Sequence, residues 1–243
     1  MLDIIRSISI KYYLFTIIFL GICFVIYQKR LVLYANFMSN IKEQRTVSQV
    51  IDDLSEKIEP VYQGFLSKTN TSSPPDAIIL LAFKEEKTLE MWFSVDSTLT
   101  KVATYPILGA SGISGPKLKE GDKQVPEGFY HIEALNPNSL FYLSLRLNYP
   151  NAFDLKIAAI EGRDNPGSDI YIHGKTSSVG CLAMGDKVIE EIFYTVAKTG
   201  KEKVKVIISP YDFRTTSEIE VPKTAWIKDL YQELHTYLQG FNL

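Results

Sequence analysis

Two side chains have the types and spacing for covalent chemistry, Cys181 and His173. They lie in the segment Ile172-His173-Gly174-Lys175-Thr176-Ser177-Ser178-Val179-Gly180-Cys181-Leu182-Ala183-Met184-Gly185-Asp186. Acyl transfer needs a thiolate, and an unperturbed thiol with a pKa of about 8.5 is mostly protonated at neutral pH. A neighbouring imidazole can take that proton and later return it to a leaving amine. Glycine permits close approach, so the backbone N–H groups at Gly180 and Cys181 are expected oxyanion donors. Spacing alone does not bring the thiol and the imidazole together. The competing reading of a lone cysteine is a small buried hydrophobe.

The surrounding pattern indicates the elements that must carry the pair. His173 ends a strand signal, Asp169 to Ile172, and the Gly-Cys pair leads into a helix that Asp186 can cap. That helix bears Val188, Ile189, Ile192, Phe193 and Val196 and stops at Gly200. Further strand signals are Ile78 to Phe83, Thr88 to Val95, Lys101 to Gly109, Gly128 to Glu133, Leu140 to Arg146, and a late run with Val204, Val206 and Ile208. Closely spaced strands with few helices between them predict an α+β, β-rich domain around a mostly antiparallel sheet, curved or closed. A last helix is expected after Thr224, with Ile227, Leu230, Tyr231, Leu234 and Leu238 inward. From about Asn40 to Ser67, apolar residues recur at three and four, which fits a stalk or a helix packed on the domain. The polar stretch Thr69 to Pro75 reads as a linker. This divides the chain into 1–35, 36–75 as helical stalk and linker, 76–214 as the main domain, and 215–243 as a C-terminal helix packed on it.

The 243 residues carry a net charge of -2, so no basic field argues for nucleic acid. The 14 Tyr and 13 Phe supply core-building mass and exclude an acidic disordered chain. Of the two cysteines, Cys23 lies in an apolar run, which leaves Cys181 alone in the remainder. A disulfide scaffold and a cysteine-rich zinc site are therefore not expected. His131 and His235 read as structural or solvated residues.

The uncharged run Tyr12 to Gln28, with Tyr12, Tyr13 and Tyr27 at its ends, reads as an uncleaved membrane anchor. A cleaved signal peptide is the alternative, but no small-x-small site follows. Leu20-Gly21-Ile22-Cys23 is only faintly like a lipoprotein signal, because Ile22 is too large before a lipidated cysteine. Arg6 and Lys11 precede the run and Lys29, Arg30, Lys42 and Arg45 follow it, so charge weakly favours a cytoplasmic C-terminal part.

The central segment resembles the signature of the L,D-transpeptidase catalytic domain, the YkuD domain: His173-Gly174, a short stretch, then Ser178-Val179-Gly180-Cys181. Two further blocks are similar to the family. One is Gly115-Pro116-Lys117-Leu118-Lys119-Glu120-Gly121-Asp122 continuing to Pro126-Glu127-Gly128-Phe129-Tyr130. The other is Tyr149-Pro150-Asn151-Ala152-Phe153-Asp154 with Gly162-Arg163, which resembles the YafK branch. The resemblance spans roughly Asp76 to Arg214. It implies a curved sandwich or barrel-like sheet, with Cys181 as nucleophile, His173 as general base and acid, and the Gly180 backbone in the oxyanion hole. The implied substrate-binding residues are Ser178, which would support the loop or bind substrate, Arg163, which would bind a stem-peptide carboxylate or form a surface salt bridge, and Gly174, with Tyr149, Asn151 and Asp154 as weaker candidates. No metal or organic cofactor is implied. The implied partners are peptidoglycan stem peptides, the inner membrane through the anchor, and a wall-linked lipoprotein, in the service of cell-wall biogenesis and cell shape. The functional motif outweighs the flanking charge and implies a periplasmic catalytic domain.

Two positions depart from the pattern. Val179 stands where many members have a second His, and Ala183 where many have Arg, a residue associated with substrate recognition. Both departures fit the YafK branch, where hydrolysis of the same bond class by a carboxypeptidase or amidase is as compatible as cross-linking. A non-catalytic wall-binding module is the reading from another class, and the intact His173 and Cys181 argue against it.

Overall fold

The computed structural model describes residues 20–21, 24–31, 44–215 and 224–242. The chain divides into two compact units, Met1–Gln44 and Arg45–Leu243. In the first unit, residues 20–21 and 24–31 are helical and exposed. Most of the expected anchor, Tyr12 to Gln28, lies outside the described residues, and among those described no helix is long and apolar enough to cross a membrane.

The second unit is an α+β fold on one eight-stranded sheet. Its strands are β1 (Ala77–Phe83), β2 (Thr88–Val95), β3 (Thr98–Pro106), β4 (Gly128–Ser139), β5 (Tyr142–Leu147), β6 (Tyr171–His173), β7 (Leu182–Ala183) and β8 (Val204–Ser209). The order across the sheet is β3-β2-β1-β8-β4-β5-β6-β7. Neighbours are antiparallel except for β1–β8 and β6–β7, so the sheet is mixed rather than wholly antiparallel. The order has two ends, yet those ends meet. The Leu108 and Gly109 amides, just past β3, donate to the Ala183 carbonyl at 2.9 and 3.2 Å, and the Ala183 amide donates to Gly109 O at 2.8 Å. The sheet therefore curls until the chain leaving β3 touches β7.

The helices are α1 (Val47–Ser67), α2 (Ala152–Ile160), α3 (Asp186–Thr199) and α4 (Ala225–Leu238). α1 starts at a capping box in which Thr46 and Gln49 satisfy each other's backbone N–H. Its stripe of Val50, Leu54, Ile58, Tyr62, Phe65 and Leu66 is buried in the main core. Burial on that scale contributes about 1.5–3 kcal/mol per large side chain. Of the two alternatives for this segment, stalk or packed helix, the structure has the packed helix, inside the unit that starts at Arg45. α3 covers the same face through Ile189, Ile192, Phe193 and Val196. Its N-cap is Gly185 rather than Asp186, whose carboxylate instead accepts from the Lys175 amide at 2.8 Å.

β1 is a continuous apolar run because both its faces are covered. Ile78, Leu80 and Ala82 point into the main core, while Ile79, Leu81 and Phe83 meet Leu230, Tyr231, Leu234 and Leu238 of α4. β5 is one-sided. Leu143, Leu145 and Leu147 enter the main core, which sends Ser144 and Arg146 to the opposite face. That face carries the candidate site.

Candidate active site

β5, β6 and β7 lie side by side, with Ser144 opposite His173, Arg146 opposite Tyr171, and His173 opposite Ala183. Cys181 immediately precedes β7 and is two residues from Ala183, so it shares that residue's face. One face thus presents two rows: Ser144, His173 and Ala183, then Arg146, Tyr171 and Cys181. The first row is fully buried, while Cys181, Tyr171 and Arg146 are partly open.

The His173 ring is roofed by Phe141 at the β4–β5 turn, with ring centroids 4.4 Å apart. Its Nδ1 lies 2.6 Å from the Gly174 carbonyl. A carbonyl can only accept, so Nδ1 carries the proton and Nε2 is the free base of the neutral ring. Burial holds the His173 pKa below the ordinary histidine value. Gly174 must be small: a Cβ there would stand 2.7 Å from Phe141 O and 2.8 Å from Asp186 Oδ1.

Burial pushes the Cys181 thiol up, the Tyr171 backbone N–H and Lys117 draw it down, and Asp169 adds to the rise. The thiol contacts the Asp169 carbonyl at 3.7 Å, and in this arrangement it is not hydrogen-bonded to His173. The turn before it is held by two hydroxyls. Ser178 Oγ accepts from the Cys181 N–H at 3.0 Å and donates to Cys181 O at 2.7 Å. Ser111 Oγ accepts from the Gly180 N–H at 2.7 Å. Gly180 sits at φ +86°, a conformation that glycine adopts without strain. Both N–H groups expected as oxyanion donors are therefore engaged in the turn, and each must exchange its hydroxyl partner before it can serve a substrate.

The segment from Gly109 to Glu127, which carries Ser111, is tied down from below. Lys84 Nζ donates to Glu127 Oε1 and Gly115 O, each at 2.8 Å, and to Val125 O at 3.0 Å. Glu127 also accepts from the Gly115 amide and from the Tyr231 hydroxyl of α4, both at 2.8 Å. The Asp122 carboxylate accepts from the amides of Leu118, Lys119 and Gln124 and from Lys117 Nζ. The Gly-Pro-Lys to Gly-Phe-Tyr block is thus the scaffold of the segment that grips the Gly180 turn.

Other expected site residues are taken up by the scaffold. Tyr149 is buried and donates to Pro166 O at 2.7 Å. Asn151 caps α2 in a reciprocal box with Asp154 and also donates to Phe129 O at 3.0 Å. Asp154, pushed up to about 6 by burial, is the other half of that box. Arg163 pairs with Glu161 and donates to the Leu118 carbonyl, riveting the segment after α2 to the loop. In this structure these groups are engaged within the scaffold. Ser178 supports the cysteine turn. His131 is exposed on β4, and His235 lies 6.1 Å from the Phe213 ring. Sequence reasoning missed Ser111, Phe141, Asp169 and Arg146. The Leu-Ser-Leu-Arg-Leu alternation of β5 could have flagged Arg146 as facing away from the core.

Comparison with known proteins places this geometry in a family. The model of the L,D-transpeptidase catalytic domain, YkuD, matches residues 80–208. The chain belongs to that family. It is 32% identical over 188 residues to the Escherichia coli K12 protein named "Putative L,D-transpeptidase YafK", covering 71% of this chain and 74% of that one. Among solved structures, the helical cell shape determining protein Pgp2 of Campylobacter jejuni is 23% identical with a TM-score of 0.46, over 74% of this chain and 64% of that one. Bd1075 of Bdellovibrio bacteriovorus is 19% identical with a TM-score of 0.42, over 67% and 56%. The chain spans less than two thirds of either solved chain.

Proposed function

We propose that this protein is a cysteine acyl-transfer enzyme acting on peptidoglycan stem peptides, with Cys181 as nucleophile and His173 as base and acid. The observation that carries the reading is the shared face of β6 and β7. His173 ends β6 and Cys181 immediately precedes the neighbouring β7, and His173 has Nδ1 committed to Gly174 O, which leaves Nε2 as its basic nitrogen. The pKa directions support a neutral resting pair, thiol and imidazole, rather than a preformed ion pair. His173 Nε2 takes the thiol proton as sulfur attacks the carbonyl of the diamino acid at the third stem position. The tetrahedral adduct collapses to a thioester, and the expelled amine leaves with the proton from His173. The acyl group then passes to an amine, forming a cross-link, and the catalytic residue returns as a thiol.

Digestion of purified muropeptides tests the reading, with products read by mass. Cross-linked or amine-exchanged products are expected. Products carrying one added water identify a carboxypeptidase or amidase, and unchanged muropeptides with intact Cys181 would overturn the enzyme assignment.

The same reading locates the domain in the periplasm, held to the inner membrane by the Tyr12 to Gln28 run. Two considerations support it. Finished peptidoglycan lies outside the membrane, and long C-terminal domains translocate despite unfavourable flanking charge. An alkaline-phosphatase fusion after Leu243 should be active, and a reporter that matures only in the cytoplasm should stay dark there. The reverse pair of results would overturn the topology.

A further inference from the structure

The face shared by Cys181 and His173 extends one strand further, to a cation that neither the motif nor the scaffold uses. Arg146 on β5 pairs with Tyr171 on β6, in the same row as Cys181. Strands lie about 4.8 Å apart, so the Arg146 and Cys181 Cα atoms are roughly 10 Å apart across that row. An arginine side chain covers much of such a gap. We propose that Arg146 is the carboxylate-docking residue of the substrate cleft, binding a free carboxylate of the stem peptide beside the thiol; this rests on the acyl-transfer reading above.

The guanidinium is poised rather than saturated. Nη2 lies 3.2 Å from Asp169 Oδ1, and Nε lies 3.2 Å from Glu133 Oε2. The Nε contact lacks hydrogen-bond geometry, and Nε is shut off from solvent with no hydrogen-bond partner. Buried donors in native folds are nearly always paired, so an unpaired one beside the candidate site calls for an explanation. The buried Ser144 hydroxyl, two residues away on the same face and opposite His173, is unpaired as well. Both groups lie on β5 on the Cys181–His173 face, Ser144 opposite His173 and Arg146 in the Cys181 row, and the partly open guanidinium is the one a ligand can reach. A carboxylate suits the planar fork of a guanidinium. Asp169 meets one end of the fork through the single Nη2 contact, and its backbone carbonyl accepts from the thiol. A ligand carboxylate therefore takes the place of the Asp169 side chain on Arg146.

The position also accounts for Ala183. Ala183 is fully buried, and a Cβ added at Gly109 would stand 3.4 Å from its methyl group. No long side chain fits there beneath the Leu108–Gly109 crossing. The cation instead comes from β5, in the row that stays partly open.

The test uses the full chain with Cys181→Ala, so that ligand is bound but not turned over. Calorimetry compares a stem tetrapeptide with free carboxylates against the same peptide fully amidated. The Cys181→Ala protein should prefer the free acid by roughly tenfold to a hundredfold, the range for a charge-assisted contact. Adding Arg146→Gln should abolish that preference. Adding Asp169→Asn, which releases the guanidinium, should tighten free-acid binding several-fold, an effect in the direction opposite to misfolding. An unchanged preference in the Arg146→Gln protein overturns the assignment and leaves the acyl-transfer reading standing. Failure of either peptide to bind any variant overturns both.

Discussion

Ser111 Oγ accepts a hydrogen bond from the Gly180 amide at 2.7 Å and donates one to the Lys123 carbonyl, also at 2.7 Å. A donor committed to Lys123 must present a lone pair to Gly180, so the hydroxyl fixes the direction of the turn before Cys181. Ser111→Ala strands a buried N–H, which costs about 1–3 kcal/mol. The expected outcome is lower thermal stability and roughly tenfold slower thioester formation, with Ser111→Thr retaining most of both. Melting curves and single-turnover kinetics on the two variants check it.

Cys181→Ala should remove turnover by several powers of ten while leaving the fold intact. The side chain is only partly buried at the edge of the sheet, so truncating it opens little cavity. Turnover within tenfold of the parent, in a protein with an unchanged circular dichroism spectrum, would remove Cys181 from the nucleophile role.

The pH dependence follows from the two shifts. Burial raises the Cys181 thiol, so alkylation by iodoacetamide should keep accelerating above the ordinary cysteine range. A preformed thiolate would give a flat profile from neutral pH instead. Burial lowers His173, so the acid limb of turnover should fall below the ordinary histidine pKa of about 6.5. The linkage sign is that of a depressed pKa. The unfolded histidine takes its proton first, so the stability contributed by neutral His173 is complete above about 6.5 and is lost as pH falls through the folded value. Denaturant midpoints between neutral and mildly acidic pH should record the loss.

The Lys84–Glu127 pair is nearly sealed from solvent and takes its third arm from Tyr231. Tyr231→Phe removes one donor from a buried carboxylate and should destabilise by about 1–3 kcal/mol. Lys84→Met leaves that carboxylate without its cation and should cost more, about 3–5 kcal/mol. Urea titration of the two variants checks the ranking. Equal or negligible effects would show that the network does not brace the loop.

A chain beginning at Asp76 should fail to fold as a stable monomer. It lacks α1, whose Ile58, Tyr62 and Leu66 are among the most deeply buried side chains of the main core. A chain beginning at Arg45 should fold. Circular dichroism and size-exclusion chromatography of the two fragments separate the outcomes.

The strands and helices were largely legible because each repeats a local period. Ile78 to Phe83 is an unbroken apolar run, and α3 and α4 carry their stripes at three and four. The His-Gly and Ser-x-Gly-Cys segment was legible because it is contiguous. What local patterning did not carry was partnership across the sheet. Arg146 enters the Cys181 row only through the β5–β6 and β6–β7 registers. Ser111 reaches Gly180 across 69 residues of sequence. Asn151 with Asp154 three positions on is a recognisable helix-start signature, and the two form the capping box of α2. The Thr69 to Pro75 linker signalled a loop correctly but could not reveal that the helix before it returns to the core.

The parallel pairing of β1 with β8 has a consequence for how the molecule comes into being. Ile78 takes Val204 as its partner, so nearly the whole domain separates the two central strands in sequence. While the chain is being made, β1 is an apolar ribbon whose neighbour on one side has not yet emerged. Closure waits for the last strand, and long-range pairing of this kind is slow and exposes hydrophobic surface meanwhile. The thiol, the imidazole and Arg146 all lie on the far side of that seam. The central seam of the sheet therefore closes late, after β8 has emerged.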